Sequence, residues 1–506
     1  MSIKHSKPTD IELYEYQKRD IERIFECFDE TPDNYNLLYQ LPTGGGKTVI
    51  FSEIARKYII ETGKKVLVLT HRIELCGQTS AVLEEFGIPN KVIDSDVKEL
   101  HDQQQYQCFV AMVETLNNRL QDEKLRLQDI GLVIVDEAHY NSFRKLFSYF
   151  KHCRILGVTA TPLSSNIKLP MKDCYEQLIV GESIASLVDK QFLAKANYYS
   201  YNVSLQSLKV GINGDYTVKS SEALYNNTAM QEKLLTAYEE RAKGKKTLIF
   251  NNGINTSRFV HHTFAKAGYE IKHLDNTTPS KERKDILKWF RKTPNAILTS
   301  VSILTTGFDE PSVEAIILNR ATKSLTLYFQ MLGRGSRVIK EKKEFEVIDL
   351  GNNVARFGLW DAPRNWQEIF RYPNYFLENI AKDEDIERTF TYEMPESLRQ
   401  EFPNSESVDF DIETAYKEAI ALGKKSKYAL EQAVLFYVER LYENCEDVFD
   451  ARILAQKLGP AIEDVVKRYT YLIMNNTNNY KDYLIEDFKR KLRVALSQKY
   501  AGILQD

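Results

Sequence analysis

A chain of 506 residues with 43% hydrophobic and 27% charged residues is too long for one ordinary core, and its composition is neither that of a disordered protein nor of a membrane-spanning one. The net charge of −3 excludes a surface coated in cations but leaves room for a local basic groove. The longest apolar runs, such as 66–69 and 132–135, fall far short of a bilayer span, and no signal-peptide stretch opens the chain, so the sequence predicts a cytoplasmic protein without membrane contact. The six cysteines form no C-x-x-C pair, which argues against a structural zinc or a disulfide framework and for buried thiols.

In chain order, a strand-like run at 36–40 is followed by a glycine-rich turn and a helical pattern over 47–58. Apolar runs at 66–70, 108–112, 131–135 and 155–159 read as buried parallel strands, with helical periodicity between them, for instance over 72–86. Alternation of this kind builds a doubly wound α/β sheet. Residues 190–230 are irregular and polar, with Gly-Ile-Asn-Gly-Asp-Tyr as a turn. The α/β rhythm then returns, with strands expected at 246–251, 271–274, 296–301, 315–319 and 346–349. Residues 371–410 carry ten acidic and four basic side chains with three prolines, the signature of a solvated connector or extended arm. From 411 onward glycine and proline nearly vanish and apolar residues recur at three and four, which predicts helices. The expected order is an α/β domain over 1–190, a connection over 191–230, a second α/β domain over 231–370, an acidic connector over 371–410 and a helical domain over 411–506.

Pro42-Thr43-Gly44-Gly45-Gly46-Lys47-Thr48 lies between a strand and a helix. Glycines there let backbone amides converge on phosphate oxygens, and the helix N-terminus adds partial positive charge. Lys47 would reach the β- and γ-phosphates of ATP and the Thr48 hydroxyl would bind Mg2+. The usual first glycine of such a loop is Leu41 here. Eighty-nine residues after Lys47, an apolar strand ends in Asp136-Glu137-Ala138-His139. Asp136 would hold Mg2+, and Glu137 would orient and deprotonate the attacking water. Together the two motifs describe a nucleoside triphosphatase. Gln330-Met331-Leu332-Gly333-Arg334-Gly335-Ser336-Arg337 sets two arginines three apart, one helical turn, as a pair of cationic fingers against a developing γ-phosphate charge.

This ordered set resembles the superfamily 2 DExH/DEAH-box helicases. Leu13-Tyr14-Glu15-Tyr16-Gln17 looks like their adenine-reading glutamine element, Thr159-Ala160-Thr161-Pro162 like motif III, and Thr305-Thr306-Gly307-Phe308-Asp309-Glu310-Pro311 like motif V. The resemblance spans about 13–350 and implies two tandem RecA-like domains. With Val68-Leu69-Thr70-His71-Arg72-Ile73-Glu74-Leu75, the details are most similar to the DNA-repair branch of RadD, UvsW and XPB-like proteins, and type I restriction motors lie nearby. RadD-type chains carry a cysteine-rich zinc element that is lacking here.

By that resemblance, Gln17 would contact adenine, Thr43, Gly44, Gly45 and Gly46 would cradle phosphates, and Gly307 and Asp309 would approach the nucleotide from the second domain. Gln330 would sit near the γ-phosphate or its water. His139, Thr159 and Thr161 resemble coupling residues, with a satisfied cleft histidine as the other reading of His139. Arg72, Thr115, Asn252 and Thr299 match backbone-contacting positions, though a structural hydrogen bond or helix cap serves each equally well. Basic clusters at 424–427 and 489–493 read either as solvated helix faces or as a duplex grip. The reading as a whole is an ATP- and Mg2+-dependent DNA helicase or translocase in repair or recombination. The rivals are an RNA helicase on the same motor, or an ATP-gated clamp that does not unwind. The helical C-terminal domain is open to a protein partner.

Overall fold

Strands covered on both faces must be apolar along their length, and the central strands of this protein are. The computed structural model describes residues 11–94, 97, 100, 102–122, 126–166, 168–301, 304, 308–390, 394, 396–473 and 478–502. Among them the chain forms two compact units, the first of residues up to 199, 208–348 and 365–376, the second of 200–207, 349–364 and 377–506.

The first unit holds two sheets. One has seven strands: β1 Asn36–Gln40, β2 Lys65–Thr70, β3 Asn90–Ile93, β4 Cys108–Met112, β5 Ile130–Asp136, β6 Arg154–Thr159 and β7 Gln177–Val180. Their order is β3-β4-β2-β5-β6-β1-β7 and every pairing is parallel. Leu67, Leu69, Val133 and Val135 are fully buried and pack with Phe109 and Leu116 into one core. The register then fixes the site: Gln40 lies opposite Thr159, and Asp136 opposite Val158. The residues leaving β1, β6 and β5 therefore emerge side by side at the carboxyl edge, where ligands bind in sheets of this kind.

The second sheet contains β8 Lys195–Ser200, β9 Thr247–Asn251, β10 Ile271–Leu274, β11 Ile297–Ser300, β12 Ala315–Asn319 and β13 Glu344–Asp349, in the order β10-β11-β9-β12-β13-β8. The polar stretch expected as an irregular connection thus contributes an edge strand, β8, and the helix Val218–Tyr225. Two alternating apolar residues suffice for an edge strand, which is too weak a pattern to see in sequence.

The second unit is helical. Helices Ile412–Ala421, Tyr428–Asn444, Val448–Lys457, Gly459–Leu472 and Asn478–Tyr500 account for the predicted C-terminal periodicity. The acidic stretch departs from the expected open connector. It carries the helices Asp383–Phe390 and Glu396–Arg399, and Ile386 is buried against Ala381 and Tyr471. Its acidity has a structural use, because Asp383 takes both ends of the buried Arg356 guanidinium at 2.8 and 2.6 Å. The basic clusters are likewise matched by acids. Lys427, Arg490 and Lys491 surround Asp487, and Lys489 faces Glu463 and Glu486. Among the described residues no helix is long and apolar enough to cross a membrane, and no His, Cys, Asp and Glu group forms a metal cluster.

Ile134 is fully buried at the centre of β5. Ile134→Ala is expected to cost about 2–5 kcal/mol through lost burial and a residual cavity, read from the denaturant midpoint. Ile60→Ala, at a side chain 68% exposed, should stay within about 0.5 kcal/mol.

Candidate functional site

The glycine-rich turn after β1 is shaped by backbone that only glycine adopts freely. Gly44 and Gly46 have φ of +91° and +81°. Gly46 is the N-cap of the helix Lys47–Thr62 and no side chain caps that helix, so its first amides are available to an anion. The glutamine element is pinned against the turn. Tyr16 donates its hydroxyl to the Gly45 carbonyl at 2.9 Å, and Gln17 accepts from the Tyr14 amide at 2.9 Å. The Gln17 Nε2 sits 2.6 Å from where a Cβ on Gly46 would stand. The rings of Tyr14, Tyr16 and Phe192 gather alongside, with Tyr14 and Phe192 centroids 4.2 Å apart. Sequence reasoning passed over Phe192, which lies in the connection far from any motif.

Lys47 reaches the Leu41 carbonyl at 3.4 Å. Burial lowers its pKa, against the pull of Glu137 and Asp136. The two acids sit in contrasting states. Burial beside a second negative charge pushes Asp136 up to about 7. Burial also opposes ionisation of Glu137, but Lys47, His139, His71 and Arg334 outweigh it and hold this carboxyl below its usual value. Glu137 adopts φ of +53°, a strained conformation for a residue with a Cβ, and its amide donates to Asp136 Oδ1 at 3.0 Å. Its Oε2 is buried, has no hydrogen bond, and lies 3.4 Å from His139 Nδ1.

His139 is the hub. Its Nδ1 lies 3.1 Å from Thr159 Oγ1, and Thr159 spends its own proton on the Thr161 carbonyl at 3.0 Å. The imidazole must therefore donate from Nδ1, leaving the Nε2 lone pair for the amide of Gln330 at 3.3 Å. Burial lowers the His139 pKa, which keeps this neutral tautomer. Thr161 donates to Thr326 at 2.9 Å, a second bond from the first sheet to the helix Leu325–Leu332. Thr326 was missed, although its place four residues before Gln330 puts both on one helix face.

The arginine pair departs from the expected geometry. The helix ends at Leu332, and Arg334 and Arg337 lie in the turns beyond it. Gly333 is the C-cap of the helix, and a Cβ on it would stand 2.6 Å from Thr43 Cγ2, so the turn packs directly on the glycine-rich turn after β1. Arg337 Nη1 is 3.2 Å from the Cβ position of Gly44. Asp309, expected at the nucleotide, holds Arg337 Nε at 2.9 Å. Arg334 donates to the Phe308 carbonyl, and burial lowers it to about 10. Lys342, also missed, gives its ammonium to the carbonyls of Pro311, Val313 and Gly335 at 2.9, 2.7 and 2.7 Å, joining the Asp309 loop to the arginine turn. Gly307 lies outside the described residues.

The four strand-contacting candidates divide. Arg72, at the N-cap of the helix Ile73–Glu85, and Thr115, in the helix Val113–Gln121, are half-buried at the carboxyl edge of the first sheet. Thr299 is a correction: it is fully buried, and its hydroxyl is occupied between Asn251 at 2.9 Å and Ser257 at 2.9 Å. Asn252 is half-buried, and its amide donates to the Tyr216 carbonyl at 3.1 Å and to Ser221 at 2.8 Å. A polar residue at a strand end can face the sheet interior as readily as solvent, and spacing does not distinguish the two.

Residues 10–164 match the family "Type III restriction enzyme, res subunit", and residues 227–338 match "Helicase conserved C-terminal domain". The chain is an ATP-hydrolysing helicase of the superfamily 2 type. The helicase is 29% identical over 337 residues to a 51.5 kDa protein of Lactococcus phage (isolate 7-9), covering 66% of this chain and 69% of that one. It is 29% identical over 349 residues to the predicted ATP-dependent helicase IRC3 of Saccharomyces cerevisiae, spanning 64% of this chain and about half, 49%, of the yeast protein. The ATP-dependent type ISP restriction-modification enzyme LlaBIII, solved bound to DNA, shares the fold with a TM-score of 0.52 at 15% identity, over 99% of this chain and 43% of that one.

In the helicase, Gly46→Ala combines a disfavoured φ with the approach of Gln17 and is expected to weaken ATP binding by about 1–3 kcal/mol, measured with a fluorescent ATP analogue. Gly63→Ala bears a similar φ of +67° with nothing within 4 Å and should leave ATP affinity unchanged.

Proposed function

We propose that this helicase is a DNA-stimulated translocase in which hydrolysis at the cleft between its two α/β domains drives motion along duplex or branched DNA in repair or recombination. The observation that carries the reading is the bond from Gln330 to His139, which links the helix Leu325–Leu332, just before the arginine turn, to the acidic motif of the first sheet. The preference for DNA rests on likeness to restriction-enzyme motors, of which LlaBIII was solved on DNA. The repair role rests on the RadD, UvsW and XPB-like pattern of the motifs.

In this mechanism Gln17, pinned beside Gly46, reads the adenine edge, and Tyr14 with Phe192 supplies an apolar wall for the base. The amides of Gly44 to Lys47 and the Lys47 ammonium receive the phosphates. The fit to Mg2+ is good. Thr48 and Asp136 are hard oxygen donors, and a divalent cation would hold Asp136 as carboxylate in a pocket that otherwise favours its protonation. Mg2+ there supplies charge neutralisation on the phosphate oxygens.

Glu137, held ionised chiefly by Lys47, accepts a proton from the attacking water as the water oxygen bonds to the γ-phosphorus. The bond from that phosphorus to the β-bridging oxygen breaks, leaving ADP and phosphate. Arg337 and Arg334 meet the charge that develops, and both belong to the second domain, so hydrolysis removes what holds the cleft closed. His139, Thr159 and Thr161 then pass the change to the second domain through Gln330 and Thr326.

Steady-state ATP hydrolysis measured without polymer and with single-stranded, duplex or forked DNA and with RNA tests the reading. Stimulation is expected to be largest on duplex or forked DNA. Lys47→Ala should abolish it, and Arg337→Ala should lower kcat by about 10³-fold. Stimulation by RNA alone would transfer the motor to RNA. Hydrolysis stimulated by duplex DNA without strand displacement or translocation would indicate a clamp, and no stimulation by any polymer would overturn the reading.

A further inference from the structure

One histidine beside Glu137 makes no hydrogen bond and takes no step in the mechanism above. His71 follows the last residue of β2, and β2 runs beside β5 with Leu69 opposite Val135, so His71 and Glu137 leave the sheet at the same edge. The Thr70 hydroxyl donates to the Arg72 carbonyl at 3.1 Å, which fixes the turn carrying His71 and Arg72. The His71 ring packs on Tyr140 with centroids 4.2 Å apart and 30° between planes. Tyr140 packs in turn on His139 at 4.3 Å and 38°. Three rings thus run from the turn bearing Arg72 to the hub that contacts Glu137 and Gln330.

Both ring nitrogens of His71 are buried and neither makes a hydrogen bond. A neutral imidazole always carries one N–H, and leaving it unpaired in the interior is costly. Phenylalanine would fill the same stack without that cost. A residue that is worse for the ligand-free fold than its obvious substitute points to use in another state.

Resting on the reading of the protein as a nucleic-acid motor, we propose that His71 is a positioning residue that reports strand engagement to Glu137. In the engaged state a His71 ring nitrogen donates to a backbone phosphate oxygen of the strand held at Arg72, and the displaced ring carries Tyr140 and His139 with it. The movement resets the 3.4 Å contact of His139 with the Glu137 carboxylate. The ligand class is the phosphodiester backbone, without base readout.

The test is the ratio of kcat with saturating forked DNA to kcat without polymer, in the 506-residue chain. His71→Phe keeps the stack and removes the nitrogens, Tyr140→Leu removes the middle ring, and Tyr140→Phe keeps it. His71→Phe and Tyr140→Leu are each expected to lower the ratio about tenfold, while Tyr140→Phe stays near the unmodified chain. His71→Phe should also melt no lower than the unmodified chain, which separates lost signalling from lost folding. An unchanged ratio in His71→Phe would overturn the inference, as would an equal loss of stimulated and unstimulated hydrolysis in both disruptive variants. Absence of stimulation in the unmodified chain by any polymer would overturn the motor reading itself, and the inference with it.

Discussion

A neutral imidazole in one tautomer is the constraint on which the rest of this site depends. His139 can accept from Gln330 at Nε2 only because its Nδ1 proton is directed to Thr159, and Thr159 is free to accept only because its own proton goes to the Thr161 carbonyl. The parallel register of β1, β6 and β5 sets this chain of donors, since it brings Thr159 and Asp136 to adjacent positions at one sheet edge. A protonated His139 would donate from both nitrogens and face the Gln330 amide as donor against donor. Burial lowers its pKa and keeps that state rare.

From this constraint follows the closeness of the two α/β domains. The turn bearing Arg334 and Arg337 packs on the phosphate-binding loop because Gly44 and Gly333 present no side chain where Arg337 and Thr43 approach. Bonds such as Gln330 to His139 and Thr161 to Thr326 each contribute about 0.5–1.5 kcal/mol net. In the proposed mechanism the phosphates of one nucleotide shift the balance that such bonds set. Asp309 adds to this balance. It pairs with Arg337 at 2.9 Å, and in the proposed mechanism it would share that arginine with the γ-phosphate.

Much of the fold was legible because central parallel strands are apolar throughout and end at motif residues. The strands β1, β2, β4, β5 and β6 of the first sheet and β9 and β12 of the second carry that signal. The sequence was silent on β3, β7 and β8, which are four to six residues long at sheet edges and only partly apolar. The acidic stretch was misread as a solvated connector because charge counts do not reveal that Asp383 answers a buried arginine or that Ile386 has a core to enter. Within the candidate site, the motif residues were visible in sequence, and the structure brings Gln17 to Gly46, Arg337 to Gly44, and His139 to both Glu137 and Gln330. The supporting residues were not visible, because Thr326, Lys342, Tyr140 and Phe192 belong to no motif and matter only through the neighbours that folding gives them. Thr299 failed for the complementary reason, as its hydroxyl was claimed by Asn251 and Ser257 before any strand could use it.

The central claim is that His139 and Gln330 act as one unit across the cleft. A double-mutant cycle on the kcat of DNA-stimulated ATP hydrolysis, with His139→Ala, Gln330→Ala and the pair, measures that directly. The account predicts that the double variant is no slower than the slower single variant, the coupling amounting to at least about 1 kcal/mol. Losses that simply multiply, leaving no coupling between the two side chains, would contradict it.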